Sequence, residues 1–438
     1  MRQLRSSLEN LLLHIHPRAV PAEALRFTRT LGLGGAAVVL FLSAASTGTL
    51  LLASYEPSTE RAWEAVSRLI KDVPFGAFVR SAHYWAANGL IAVSSLHLLR
   101  VFFRGAHLPP RHVNWLVGLA LLSVVIASGY TGRLLPWDQL GFWSIHVSSG
   151  MLEYVPLLGP ALLHLARGGA EVGPRTLSLF FGLHVAILPF ALSVLLAVHF
   201  WQVRKAGGIL LPRDAGTPAL PRGTLVPASP NLMLREGVTA LVTIAIVLIL
   251  AAVADAPLLA QANPGMSPDP SKAPWFLVGA QELLIHLHPA FGAVLVPSLA
   301  ASLLVALPAL GKGEEPSGLW FQSRRGARLA LGSALAAAVM TPLAVLADEA
   351  LRRAPARLLP LAPWVRSGLL PVLMAGALLA FIIWLARRRG ASRLEATQAA
   401  FSFALVAFLV LALTGLVFRG PGMALTLPFA AGSSRGPT

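Results

Sequence analysis

The sequence predicts an all-α fold, a polytopic transmembrane helix bundle of about nine spans. Three observations predict it. The 438 residues are 55% hydrophobic and only 12% charged, against roughly a quarter charged in soluble domains. Mean hydropathy is +0.69. Runs free of Asp, Glu, Lys and Arg reach or approach the roughly 20 apolar residues that cross a bilayer. They lie at 30–55, 81–99, 113–132, 176–203, 237–254, 283–311, 329–347, 367–386 and 396–418. The apolar stretch 154–166 is short and broken by Pro156 and Pro160, and reads as a surface or re-entrant helix pair.

Charge sets the orientation. With the N-terminus inside, the inner segments hold 21 of the 35 Lys and Arg but only 7 of the 19 acids, as the positive-inside rule requires. The net charge of +16 therefore belongs to membrane loops, and no nucleic-acid partner is expected. The chain has no cysteine, which excludes disulfides, iron–sulfur clusters, thiolate zinc sites and covalently attached c-type haem within it. Any metal must be held by His, Met or carboxylate.

The expected organisation follows from these runs. Residues 1–29 form a cytoplasmic N-terminal segment. A four-helix module spans 30–205 and a Gly/Pro-rich linker 206–234. A three-span module spans 235–347, two further spans 348–418, and a flexible tail 419–438. The last two spans carry no motif and are expected to pack against partner subunits or lipid.

Ionisable residues inside spans mark function by default. Four histidines lie in two spans: His83 and His97 on the second, His184 and His199 on the fourth. At 1.5 Å of rise and 100° of turn per residue, their separations of 14 and 15 put each pair near one face and about 21 Å apart along the axis. Two such helices face to face build two stacked bis-His sites, His83 with His184 near the outer side and His97 with His199 near the inner. Imidazole suits iron, and bundles hold cofactors between facing helices. These four His are the candidate metal ligands of two b-type haems, bound non-covalently. Gly34 and Gly48 on the first span, and Gly118 and Gly132 on the third, are also 14 apart; glycine lets backbone approach a flat macrocycle closely. Arg80 and Arg100 flank the first His pair and are placed to meet haem propionates.

These residues also carry a family resemblance. The stretches RSAHYWAANGLIAVSSLHLLR (80–100), GYTGRLLPWDQLGFW (129–143) and FGLHVAILPFALSVLLAVHFWQVRKAGG (181–208) resemble the second, third and fourth helices of cytochrome b from the quinol-oxidising bc and bf complexes. YEPSTERAWEAVSRLI (55–70) resembles its first external loop, and PDPSKAPWFLVGAQELL (268–284) its external quinol-site loop. The 15-residue His spacing and PWDQ in place of PWGQ resemble the bf branch, here with its two usual chains fused. The cysteine that tethers an extra haem in that branch is absent.

The resemblance implies a di-haem subunit of a quinol:electron-acceptor oxidoreductase. Quinol would be oxidised at an outer site. One electron would pass to a Rieske iron–sulfur protein, and on to a c-type cytochrome or similar acceptor. The other would cross through the two haems to an inner quinone site, giving Q-cycle proton translocation. The resemblance further implies a dimeric complex surrounded by membrane lipid in a bacterial cytoplasmic membrane. Where the family carries Pro-Glu-Trp-Tyr, this chain has Ala273, Pro274, Trp275 and Phe276, so the motif carboxylate is missing. Glu282 or Asp138 is the expected substitute proton acceptor, with helix-terminal charge and loop cap as their structural readings. Two other classes compete: a di-haem membrane anchor of another dehydrogenase or reductase, which lacks the PWDQ and quinol-loop segments, and a proton-coupled transporter, which would hold no haem.

Overall fold

The structure, a computed structural model, describes residues 17–212, 224–311, 317–353 and 361–427. Among these, thirteen helices of nine or more residues follow in order: α1 (Leu33–Leu52), α2 (Ala62–Lys71), α3 (Gly76–Phe103), α4 (His112–Leu134), α5 (Gln139–Gly150), α6 (Gly159–Arg167), α7 (Pro174–Lys205), α8 (Ala228–Val253), α9 (Val278–His286), α10 (Ala290–Ala309), α11 (Arg324–Arg353), α12 (Val365–Arg388) and α13 (Arg393–Val417). All but α2, α5, α6 and α9 are long and apolar enough to cross a membrane. The chain is thus a multi-pass helical bundle, as its apolar runs predict.

Helix ends differ from the apolar runs for a physical reason. The bilayer core demands apolar residues, whereas the helix itself continues into the interface, where charges are tolerated. So α3 starts at Gly76 and includes Arg80, α8 starts at Ala228 and includes Arg235 and Glu236, and α11 starts at Arg324. Part of the expected linker is therefore helix and strand. Leu225–Pro227 pairs antiparallel with Ala19–Pro21 of the N-terminal segment. The rest of that linker, 213–223, lies outside the described residues, as do 1–16 and 428–438 of the expected terminal segments. The span expected at 283–311 is two helices. α9 ends at His286, and α10 begins after His288 and Pro289, proline being unable to continue the ladder of hydrogen bonds.

Three spans contain a π-helical turn: Leu183–Ile187 in α7, Ala290–Leu295 in α10 and Val365–Leu369 before the rest of α12. Each is followed two residues on by a proline, Pro189, Pro297 or Pro371. Proline has no N–H and its ring clashes with the carbonyl four residues back. A turn widened by one residue accommodates both.

The loops at the His83–His184 end fold onto the bundle. α2 buries Ala62, Ala65, Val66 and Leu69, one face at three- and four-residue spacing. Asp138 caps α5, its Oδ1 accepting from the Gly141 N–H at 2.8 Å.

The last two spans keep exposed apolar faces and also have partners within the bundle. α12 packs on α13, and α13 packs on α11 and α9. It is tied at both ends. At one end the buried Gln398 amide donates to the Phe102 and Phe103 carbonyls at the end of α3, at 3.1 and 3.2 Å. At the other, Arg419 closes a buried ion cluster. Its guanidinium reaches both oxygens of Glu282 on α9 at 2.6–3.1 Å and Glu349 on α11 at 2.6 Å. His286 bridges Glu282 at 3.1 Å and Asp348 at 2.6 Å, and Arg352 pairs Asp348 at 2.7 Å. Glu282 and the Arg419 side chain are 0% and 1% exposed. The expected flexible tail therefore begins with an anchored turn, closed by a bridge between Arg419 and Leu425.

Electrostatics inside the cluster keep its charges on. Burial pushes the Glu282 carboxyl up, but hydrogen bonds from His286 and Arg419 outweigh it and hold the group below its ordinary value. Burial pushes His286 down, but the Glu282 and Asp348 carboxylates hold it above its ordinary value. A depressed carboxyl stabilises the fold above its ordinary pKa of 4.5, and a raised imidazole below its ordinary 6.5. The cluster should therefore stabilise most between those values. Its contribution falls towards alkaline pH as His286 deprotonates, and towards acid as Glu282 protonates. Thermal midpoints of the purified protein across pH test this, and His286→Gln should abolish the alkaline decline. Arg419→Ala leaves Glu282 buried without its counter-charge and should cost about 3 kcal/mol or more. Gln398→Leu, which removes two buried hydrogen bonds but leaves both carbonyls their backbone partners, the N–H groups of Gly105 and Phe321, should cost about 1 kcal/mol.

Candidate functional site

The four intramembrane histidines meet in two pairs. The His83 and His184 ring centres are 6.1 Å apart, and those of His97 and His199 6.4 Å. The planes of each pair cross at 76° and 72°. α3 packs on α1 and α7 on α4, while α3 and α7 are not closely packed on each other. The imidazoles project into the gap between them.

Two imidazoles that bind one metal from opposite sides bring their ring centres about 6 Å apart: roughly 2 Å for each metal–nitrogen bond and about 1 Å from each nitrogen to its ring centre. Both pairs fit that span, and neither is within hydrogen-bonding range. The His83–His184 pair is also oriented for it. His83 Nδ1 donates to the Ala44 carbonyl at 2.9 Å and lies 3.2 Å from Thr47 Oγ1. His184 Nδ1 donates to the Ser128 carbonyl at 3.0 Å and lies 3.3 Å from Thr131 Oγ1. A carbonyl only accepts, so Nδ1 carries the proton and Nε2 remains the ligating nitrogen. In the inner pair, Nδ1 of His97 and of His199 is buried without a partner.

The glycines face the histidines one to one. A Cβ on Gly48 would sit 3.0 Å from His83 Cε1, and one on Gly132 2.6 Å from His184 Cε1. On Gly34 it would sit 3.5 Å from His97, and on Gly118 3.8 Å from His199. At each of these positions the backbone clears an imidazole edge.

The π-turn resolves a mismatch in spacing. His184 lies within it and His199 beyond it. The widened turn absorbs one residue, so 15 residues on α7 keep register with 14 on α3 and with the 14 between Gly118 and Gly132. Straight-helix arithmetic missed this. Pro189 was the available signal.

The arginines differ. Arg80 already donates to the carbonyls of Ala256 and Pro257, at 2.6 and 2.7 Å. Arg100 keeps a buried Nε without a partner, a donor suited to an anion beside the inner pair.

The 268–277 loop reaches the middle of α3 and α4. Trp275 donates to Asn88 Oδ1 at 2.6 Å. Phe276 enters the core of Leu90, Ile91 and Val125 and touches the position of Gly129. Gln281 ties the loop back, accepting from Ala273 N–H and donating to the Ser271 carbonyl, both at 2.7 Å. Pro274 opens the turn into α9, its carbonyl accepting from Leu277 and Val278.

Neither proposed substitute carboxylate is free. Asp138 is fully buried, and both its oxygens accept backbone N–H bonds, from Gly141 and from Leu259. Glu282 is held ionised by Arg419. Sequence reading missed Arg419, Asp348 and Glu349, which join it from other helices.

Comparison with known proteins agrees with this arrangement. The family profile described as cytochrome b/b6/petB matches residues 21–207. Cytochrome b6 of Prochlorococcus marinus (strain MIT 9515) is 38% identical over 175 residues, 40% of this chain and 80% of that protein. Cytochrome b6 of Prochlorothrix hollandica is likewise 38% identical over 175 residues, 79% of its length. A chain of a solved structure titled "Hyperthermophilic respiratory Complex III" shares the fold, with a TM-score of 0.63 over 89% of this chain and 91% of that one, at 23% identity. With all four histidines inside the matched region, the chain belongs to the cytochrome b/b6 family of haem-binding, multi-pass membrane electron carriers.

Proposed function

We propose that this chain is the di-haem subunit of a quinol:electron-acceptor oxidoreductase in a bacterial cytoplasmic membrane, with its N-terminus inside. The observation that carries the reading is the two facing imidazole pairs, each at the separation of a shared metal and about 21 Å apart along the helices. His83 with His184, and His97 with His199, would each hold one b haem. Bound there, the two haems supply one-electron redox centres on opposite sides of the membrane, a path from an outer quinol to an inner quinone.

The chain's own part is to hold and insulate. Ala44 and Ser128 carbonyls orient the outer imidazoles, and Gly34, Gly48, Gly118 and Gly132 leave room for all four rings. The Leu40, Ala86, Leu90 and Val125 packing excludes water from the gap. Arg100 would meet a propionate at the inner site and Arg80 at the outer one, beside its two carbonyl bonds. Pro274, Trp275 and Phe276 would form the wall of the quinol site, fixed by the Trp275–Asn88 and Gln281 bonds. Glu282 serves that site as the anchor of α9, since an acceptor must be able to take up a proton and Glu282 is clamped as a carboxylate. Asp138 serves by holding the 136–139 turn against Leu259. A Rieske iron–sulfur protein and a c-type cytochrome or similar acceptor would receive the electron that does not cross, within a dimeric complex.

A redox-difference spectrum of the purified protein, with haem quantified by pyridine haemochrome, should give two b haems per chain. His83→Ala or His184→Ala should remove one and leave the other, as should His97→Ala or His199→Ala. Absence of haem would refute the assignment and favour a proton-coupled transporter. The glycines should grade in effect. Gly132→Ala should displace His184 and lose or shift the outer haem, Gly48→Ala less so, and Gly118→Ala should leave the spectrum intact.

A further inference from the structure

At the end of the bundle that holds His97 and His199, a cavity of about 500 Å³ opens between the start of α11 and the end of α12, lined by Arg324, Arg325, Arg328, Leu329 and Arg389. Four guanidiniums around one hollow repel each other, so the arrangement needs an explanation. Among the described residues no carboxylate forms an ion pair with any of them. Arg325 donates to the Gly390 carbonyl at 2.6 Å. The nearby Glu395 is buried and already accepts from Ser323 and from the Ser392 N–H.

A second feature is independent of the first. Three of these arginines occupy the opening turns of α11, where no acid is present. The N-terminus of a helix is its positive end, and cations there are unfavourable. The arrangement is frustrated both by mutual repulsion and by the helix dipole, and an anion in the cavity relieves both.

A third feature identifies the anion's other half. Residues 324, 328, 331, 335 and 339 follow each other at three- and four-residue spacing, so they share one face of α11. Leu331, Leu335 and Val339 on that face are exposed. The stripe runs from the arginine cavity towards the bilayer centre as an uncovered apolar track. A free phosphate would use the cavity and ignore the track.

We propose that this is a site for an anionic phospholipid of the inner leaflet. Its headgroup phosphate sits among Arg324, Arg328 and Arg389, and an acyl chain lies along Leu331, Leu335 and Val339. Arginine's planar fork suits phosphate oxygens, and basic pockets between spans are where such headgroups are recognised. The inference needs the membrane-spanning fold and the inward placement of this end, and does not need the quinol chemistry.

Native mass spectrometry of the purified haem-loaded chain, titrated with phosphatidylglycerol or phosphatidylcholine, tests it. Phosphatidylglycerol should be retained at least about tenfold more strongly. The triple variant R324Q/R328Q/R389Q should lose that preference while keeping its haem spectrum. Leu335→Asn with the arginines intact should weaken phosphatidylglycerol as well. Equal retention of the two lipids by the unaltered chain would overturn the proposal without any variant. So would an unchanged preference in the triple variant. If inorganic phosphate binds and is lost in the triple variant, while Leu335→Asn has no effect, the site takes free phosphate and the lipid assignment fails.

Discussion

Two helices stay apart by the span of two facing imidazole pairs, and the rest of the bundle is arranged around that gap. A pair of packed helices normally closes to 8–10 Å between axes. Here α3 and α7 face each other across their histidines and take their packing from behind, α3 from α1 and α7 from α4. Those backing helices need glycine opposite His184 and His83, since a Cβ at Gly132 would come within 2.6 Å of the one and a Cβ at Gly48 within 3.0 Å of the other. They also provide the carbonyls that fix the outer rings. The 14-residue glycine spacings on α1 and α4 thus repeat the histidine spacing on α3 because each backing helix serves one histidine helix, residue by residue.

The spacing on α7 shows how covalent chemistry enters this register. Pro189 cannot donate a hydrogen bond and crowds the carbonyl four residues back. The π-turn at Leu183–Ile187 absorbs that defect within the turn that carries His184. Without the extra residue the widened turn would rotate His184 away from His83. The additional residue on α7 and the proline are therefore two parts of one solution.

This explains what could be read from the chain alone. The spans, the paired histidines and the glycines that face them were legible, because each is a pattern along one helix. The π-turn was not, since a one-residue widening leaves no mark on hydropathy. Helix ends were displaced by the interfacial charges at Arg80, Glu236 and Arg328, which end an apolar run without ending a helix. The role of α13 was invisible for another reason. Gln398 and Arg419 act on residues about 295 and 137 positions away, and no local pattern announces partners at that distance.

The clamp at Arg419 bears on the missing loop carboxylate. A group that relays protons must exchange them near the working pH, and the arginine across both oxygens of Glu282 favours its charged form. Glu282 thus stands close in sequence to the missing residue but is suited to different work. Its charge joins α9, α11 and the end of α13, while Gln398 joins α13 to the end of α3. The helix after the 268–277 loop is in this way braced against the same α3 that carries His83 and His97. The loop itself is pinned to α3 directly, by Trp275 on Asn88. The distance between the loop and the outer histidine pair is set by rigid elements at both ends, so geometry at that site does not depend on a carboxylate in the loop.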